Sequence, residues 1–206
     1  MTDAISITGP AGTIEAEVDR PDGAPTAVAV LCHPHPLYGG SMHDGVLERL
    51  AAELLARDCI CVRFNFRGVG ASGGHFDNGD GESDDLTAVA GAARDLAPGL
   101  PLLLVGYSFG AWVAWRAAGA LEPRHLLLVA PPVGMLTFSG EAPAGSRLDL
   151  FVGDGDDFAP ADIVRNWAAS LATASAVHLI AGADHFFTGA LARLADAVAD
   201  ALTGPT

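Results

Sequence analysis

The sequence is poor in cations, in cysteine and in long apolar runs, and each shortage excludes something. Its 206 residues include 11 Lys plus Arg against 25 Asp plus Glu, a formal charge of −14 with no basic run. A protein that grips phosphates needs a basic face, so nucleic acid is excluded as a partner and strongly anionic substrates are disfavoured. Three cysteines, Cys32, Cys59 and Cys61, cannot all pair within the chain, and all lie in apolar strand-like runs. They are expected as buried free thiols in a reducing compartment rather than as a disulfide framework or a metal site. Half the residues are hydrophobic, yet no apolar stretch nears the roughly 20 residues that span a bilayer. Met1-Thr2-Asp3-Ala4-Ile5 has no basic region followed by an apolar segment, which places the protein in the cytoplasm without a secretory signal or membrane partner. With no repeat and no linker, residues 1–206 read as one domain.

What is present is a rhythm of apolar strands and amphipathic helices. Ile5–Thr8 and Thr13–Val18 read as an amino-terminal hairpin around Gly9-Pro10-Ala11-Gly12. The strands Ala27–Cys32, Cys59–Phe66, Leu102–Val105, Leu126–Ala130, Leu148–Val152 and Ala176–Ala181 follow. Between them, helical spacing marks Ser41–Arg57 with Ser41 as cap, and Asp84–Ala97 opening on Asp84 and Asp85 at the positive end of the dipole. Further helices follow Gly110, surround Trp167, and close the chain behind a Thr188 cap with Leu191, Leu194, Val198 and Leu202 inward. Continuously apolar strands alternating with helices indicate an α/β fold, a mostly parallel sheet covered on both faces. In such sheets, sites form outside the carboxyl ends of the strands.

Gly106-Tyr107-Ser108-Phe109-Gly110 joins one such strand to a helix. Gly-x-Ser-x-Gly in that context is the nucleophile-elbow pattern, in which the turn is too tight for side chains two residues either side of the serine. A serine hydroxyl needs a general base, and that base needs an orienting acid. His185, in the loop after the last strand, is the best-placed base. The acid is sought in Gly153-Asp154-Gly155-Asp156-Asp157, after the preceding strand; Asp156 is preferred, with Asp154 and Asp157 as competitors. The order Ser108, Asp156, His185 is the one the elbow mechanism uses on this kind of sheet.

An acyl-transfer site also needs donors for a developing oxyanion. One is the backbone N–H of Phe109. The second should come from His33-Pro34-His35-Pro36-Leu37-Tyr38-Gly39-Gly40, where the prolines lack an N–H, leaving His35 or Leu37, with His35 preferred. The His33/His35 pair has no third ligand at a recognisable spacing, so no metal is expected. Leu37, Tyr38 and Met135 are candidate substrate contacts. Pro131–Arg147 has no helical period, which implies an open site with Met135, Leu136 and Phe138 along one wall.

Together, His-Pro-His-Pro with Gly39-Gly40, Asn65-Phe66-Arg67-Gly68-Val69-Gly70-Ala71-Ser72, the elbow, and Gly182-Ala183-Asp184-His185-Phe186-Phe187 resemble the α/β-hydrolase superfamily over nearly the whole chain, and within it the small, lidless dienelactone-hydrolase-like serine esterases. The resemblance implies the α/β-hydrolase fold without a cap domain, a Ser-Asp-His triad, no cofactor, and hydrolysis of an ester or related acyl bond of a small molecule. Dienelactone hydrolases carry a cysteine nucleophile where this chain has Ser108, so lactone specificity is not implied. Two rivals are weaker. Gly68-Val69-Gly70-Ala71-Ser72-Gly73 matches a dinucleotide fingerprint, but the polar loop after it, Gly74–Gly81, should not start the required helix. That loop also lacks a calcium-binding register. A catalytically silent binding protein on the same scaffold would keep the fold without the chemistry. Nothing in the sequence sets an oligomeric state.

Overall fold

The computed structural model describes residues 2–203. Strands β1 (Thr2–Gly9) and β2 (Gly12–Asp19) form the expected hairpin. After them come β3 (Ala27–Cys32), α1 (Gly45–Leu55), β4 (Cys59–Phe64), α2 (Asp80–Leu96), β5 (Leu102–Tyr107) and α3 (Phe109–Leu121). The remainder is β6 (His125–Val129), β7 (Arg147–Gly153), α4 (Ala161–Ser170), β8 (Ser175–Ile180) and α5 (Leu191–Thr203). The eight strands form one sheet in the order β1-β2-β4-β3-β5-β6-β7-β8. Pairing is antiparallel from β1 to β4 and parallel from there on. Helices α1 and α5 pack together on one face, while α2 and α3 pack together on the other, joined by α4 through Trp115 and Trp167.

Strands β3, β4 and β5 are buried at every position. Their continuous apolar sequence is what double coverage demands. The three cysteines are free and buried within this core, where burial pushes each thiol above its ordinary range. Among the described residues no helix is long and apolar enough to cross a membrane.

Several element boundaries differ from the sequence expectation. Helix α1 is capped by Asp44, not Ser41: the Asp44 carboxylate accepts the Val46 N–H at 2.9 Å. Strand β4 ends at Phe64, two residues short of the expectation, although the Asn65 N–H still bonds the Glu15 carbonyl next to β4's pairing with β2. Helix α2 begins a full turn early, at Asp80, inside the segment read as a polar loop. Its start is set by Glu82, whose carboxylate accepts the N–H groups of Asp77 and Gly79 at 2.9 and 2.7 Å. Asp85 therefore lies in the helix interior and not in its first turn; it is buried and pairs with both ends of the Arg67 fork at 3.0 and 2.8 Å. Thr188 does not cap α5, which starts three residues later; its N–H bonds the Asp184 carboxylate instead.

Candidate active site

Ser108 sits between β5 and α3 with φ 53° and ψ −117°, a strained conformation for a residue with a Cβ. The flanking glycines explain why the turn can exist. A Cβ on Gly106 would lie 2.4 Å from the Gly110 carbonyl oxygen, and one on Gly110 would lie 2.2 Å from that of Cys32. The α3 amino terminus thereby packs hard against the end of β3, and the Ser108 hydroxyl stands at the carboxyl edge of the sheet.

The loops after β7 and β8 meet there. His185 Nε2 lies 2.9 Å from Ser108 Oγ. Its Nδ1 lies 3.0 and 2.9 Å from the two carboxylate oxygens of Asp156. Asp156 Oδ1 also accepts the N–H groups of Phe158 and Ala159, both at 2.8 Å, so the loop itself orients the carboxylate. Asp156 and His185 are buried. Asp154 and Asp157 are exposed, and Asp154 instead accepts the Gly182 N–H at 2.7 Å. Of the three aspartates, only Asp156 touches the imidazole. Tyr107 donates its hydroxyl to the His185 carbonyl at 3.0 Å and fixes the backbone of that loop.

On the other side of Ser108, the loop after β3 wraps into a single turn at Pro36–Tyr38. The Leu37 N–H is bonded to His35 Nδ1 at 3.2 Å, so that donor is already engaged. The N–H groups of His35 and Phe109 have no acceptor among the described residues; that of Phe109 is the first of α3, which no helix satisfies internally. His33 anchors this loop. Its Nε2 accepts the Phe66 N–H at 3.0 Å and its Nδ1 faces the Pro34 carbonyl at 2.6 Å, which defines a neutral ring protonated on Nδ1. Burial pushes its pKa down to about 4. With both nitrogens engaged, His33 has none left for a metal.

These residues open onto a cavity of about 650 Å³. Tyr38 and Met135 line it, as do Asp44, Leu136, Phe158 and Phe186, of which sequence reasoning singled out only Tyr38, Met135 and Leu136. Leu37 is exposed and lies outside the lining. Phe138 turns away from the site into a cluster with Trp115 and Trp167. The segment that carries Met135 and Leu136 forms no helix and is held to α3 by two indoles: Trp112 Nε1 donates to the Thr137 carbonyl and Trp115 Nε1 to that of Ser139, each at 2.9 Å. A shallower depression of about 300 Å³, bordered by Glu15, Glu17 and His43, lies away from this site on the amino-terminal hairpin.

Residues 23–148 match the family model described as serine aminopeptidase, S33. A lidless α/β serine hydrolase from Xanthomonas campestris is 38% identical and superposes with a TM-score of 0.92, over 100% of this chain and 96% of that one. An α/β serine hydrolase homologue from Coxiella burnetii is 34% identical with a TM-score of 0.93, covering 98% of this chain and 97% of the other. An uncharacterized protein of Rickettsia prowazekii is 35% identical, covering 96% of this chain and 87% of that protein.

Proposed function

The chain belongs to the serine hydrolases of the α/β-hydrolase superfamily, and from that premise we propose that it cleaves a carboxylic ester or related acyl bond of a small substrate through an acyl-enzyme on Ser108. The observation that supports this best is the unbroken hydrogen-bonded line from Asp156 through His185 to Ser108, at 2.9–3.0 Å throughout. As Ser108 Oγ attacks the carbonyl carbon, His185 Nε2 takes its proton. Asp156 keeps the other imidazole proton on Nδ1 and stabilises the imidazolium. The N–H groups of Phe109 and His35 receive the oxyanion, each worth about 3–4 kcal/mol in such a role. His185 then protonates the leaving alkoxide, and water repeats the sequence to release the acid and restore Ser108. Every proton and electron pair in these steps comes from substrate, water and the named groups, so the reading calls for no cofactor.

Labelling by a fluorophosphonate, together with p-nitrophenyl ester turnover, tests the proposal. Wild-type protein is expected to be labelled at Ser108, and Ser108→Ala to lose both labelling and about 10⁴–10⁶ of the turnover rate. Ester hydrolysis that persists in Ser108→Ala, or a wild-type serine that ignores the probe, would instead favour a binding protein on a hydrolase scaffold.

A further inference from the structure

The large apolar side chains exposed among the described residues number seven, and four of them, Tyr38, Met135, Phe158 and Phe186, stand around the mouth of the cavity. Tyr38 is 87% exposed, Met135 66% and Phe186 62%. A soluble surface does not normally gather its apolar groups at one opening without a use for them. Phe158 and Phe186 also pack against the imidazole and against each other, with ring centroids 4.9 and 5.4 Å from that of His185, so the apolar rim runs up to the reacting atoms.

The charge of the lining is one-sided. It contains one carboxylate, Asp44, and neither arginine nor lysine. The Asp44 side chain is fixed by the Val46 N–H, and it lies close enough to Tyr107 to help push that phenol above its ordinary range, after burial itself. Any carboxylate on a substrate would leave water for an apolar rim, meet no counter-charge, and face Asp44.

We propose that the site selects esters whose acyl group is uncharged and long enough to lie on the rim of Tyr38, Met135, Phe158 and Phe186, and that Asp44 is the residue that turns away acyl groups ending in a carboxylate. The inference rests on the hydrolase reading above and specifies its substrate class.

Two substrate comparisons test it. The first pairs p-nitrophenyl hexanoate with mono-p-nitrophenyl adipate, equal in chain length but different in terminal charge. Wild-type kcat/KM is expected to be at least about 100-fold lower for the adipate. Asp44→Asn keeps a good helix cap while removing the charge, and it should recover about tenfold of that ratio, a size set by one like-charge contact in a partly desolvated site. Equal turnover of the two wild-type substrates overturns the proposal. So does an unchanged ratio in Asp44→Asn, with the fold checked by circular dichroism. The second comparison runs from p-nitrophenyl acetate to octanoate. A rise in kcat/KM of tenfold or more is expected, since each methylene fully removed from water is worth about 0.8 kcal/mol, or nearly fourfold. Tyr38→Ser combined with Phe186→Ser, both on the exposed rim, should flatten that rise. A wild-type rate that is flat or falls beyond butyrate overturns the proposal and leaves the hydrolase reading standing. Failure of every ester together with no phosphonate labelling overturns both.

Discussion

The Asp156 carboxylate accepts from both sides, from the Phe158 and Ala159 N–H groups within its own loop and from His185 Nδ1 across the site. An asparagine there could still accept the loop bonds through its oxygen, but its NH₂ would confront the Nδ1 proton. The imidazole would switch tautomer and present a proton, rather than a lone pair, to Ser108. Asp156→Asn is therefore expected to keep the thermal midpoint nearly unchanged and to lower kcat roughly 10⁴-fold, whereas exposed Asp157→Asn should remain within about twofold of wild type. Steady-state ester kinetics beside a melting curve checks both halves, and a crippled Asp157→Asn would move the acid by one residue. The candidate nucleophile, base and acid are legible in the sequence because each sits in a short loop directly after an apolar strand. The Asp156 choice turns on which carboxylate the loop buries, and three adjacent aspartates look alike until the backbone is folded. Asp44, Phe158 and Phe186 were not legible as cavity residues. They come from separate loops, and only the strand order brings those loops to one mouth.

At the scale of elements, the connection from β6 to β7 shows what a lidless site requires. With no helix of its own, the segment from Pro131 to Ser146 is shaped by short turns, in which the Met135 and Leu136 N–H groups bond the Pro132 carbonyl at 3.0 and 2.9 Å, and it is tied to α3 by the indoles of Trp112 and Trp115. Trp112 is the nearer pin to the wall, since Thr137 directly follows Leu136, and Arg116 covers its ring with the guanidinium carbon 4.7 Å from the centroid. Trp112→Phe keeps an aromatic ring while removing the indole N–H. It should cost about 0.5–1.5 kcal/mol in urea unfolding, the usual net worth of one hydrogen bond, since Thr137 itself is exposed and water can reach it. It should also raise KM severalfold for a long-chain ester while changing kcat less. A variant with unaltered KM would mean that the wall is held by other contacts. The sequence makes the strands and the periodic helices legible because burial on one or two faces writes itself into the pattern. Helix beginnings were less legible. Two acids, Asp84 and Asp85, look like a first turn, but the capping acid is Glu82, and Asp85 is spent on Arg67. Which of several nearby carboxylates caps and which pairs is decided by a tertiary partner, not by local spacing.

Across the whole molecule, polar centres stand at both ends of the parallel strands. The candidate site occupies the carboxyl ends of the strands; toward their amino ends lies Asp149, fully buried in β7. Its carboxylate meets His125 Nε2 at 2.7 Å and His178 Nε2 at 2.6 Å, and it accepts Arg147 Nε at 2.7 Å. The arrangement joins three neighbouring strands, β6, β7 and β8, through one residue. It was not legible in the sequence, where His125 and His178 stand out only as histidines ill placed for catalysis. Their meeting depends on the parallel register, which sets Leu127 opposite Asp149 and Phe151 opposite His178. Burial acts to raise the Asp149 pKa, but the donors from His125, His178 and Arg147 outweigh it and hold the carboxyl well below the ordinary carboxylate range. A folded-state pKa below the unfolded one adds stability that is fully present above the unfolded value, about 3.9, and is lost as pH falls through the folded one. Asp149→Asn should thus be less stable than wild type by about 3–5 kcal/mol at pH 7, the usual cost of breaking a buried ionic cluster. That gap should narrow steadily as urea unfolding is repeated below about pH 4, where the unfolded carboxylate begins to bind its proton. Comparing the two proteins at each pH cancels the titration of the other carboxylates. A gap that stayed constant from pH 7 to pH 3 would mean that Asp149 holds the strands through shape and neutral hydrogen bonds rather than through its charge.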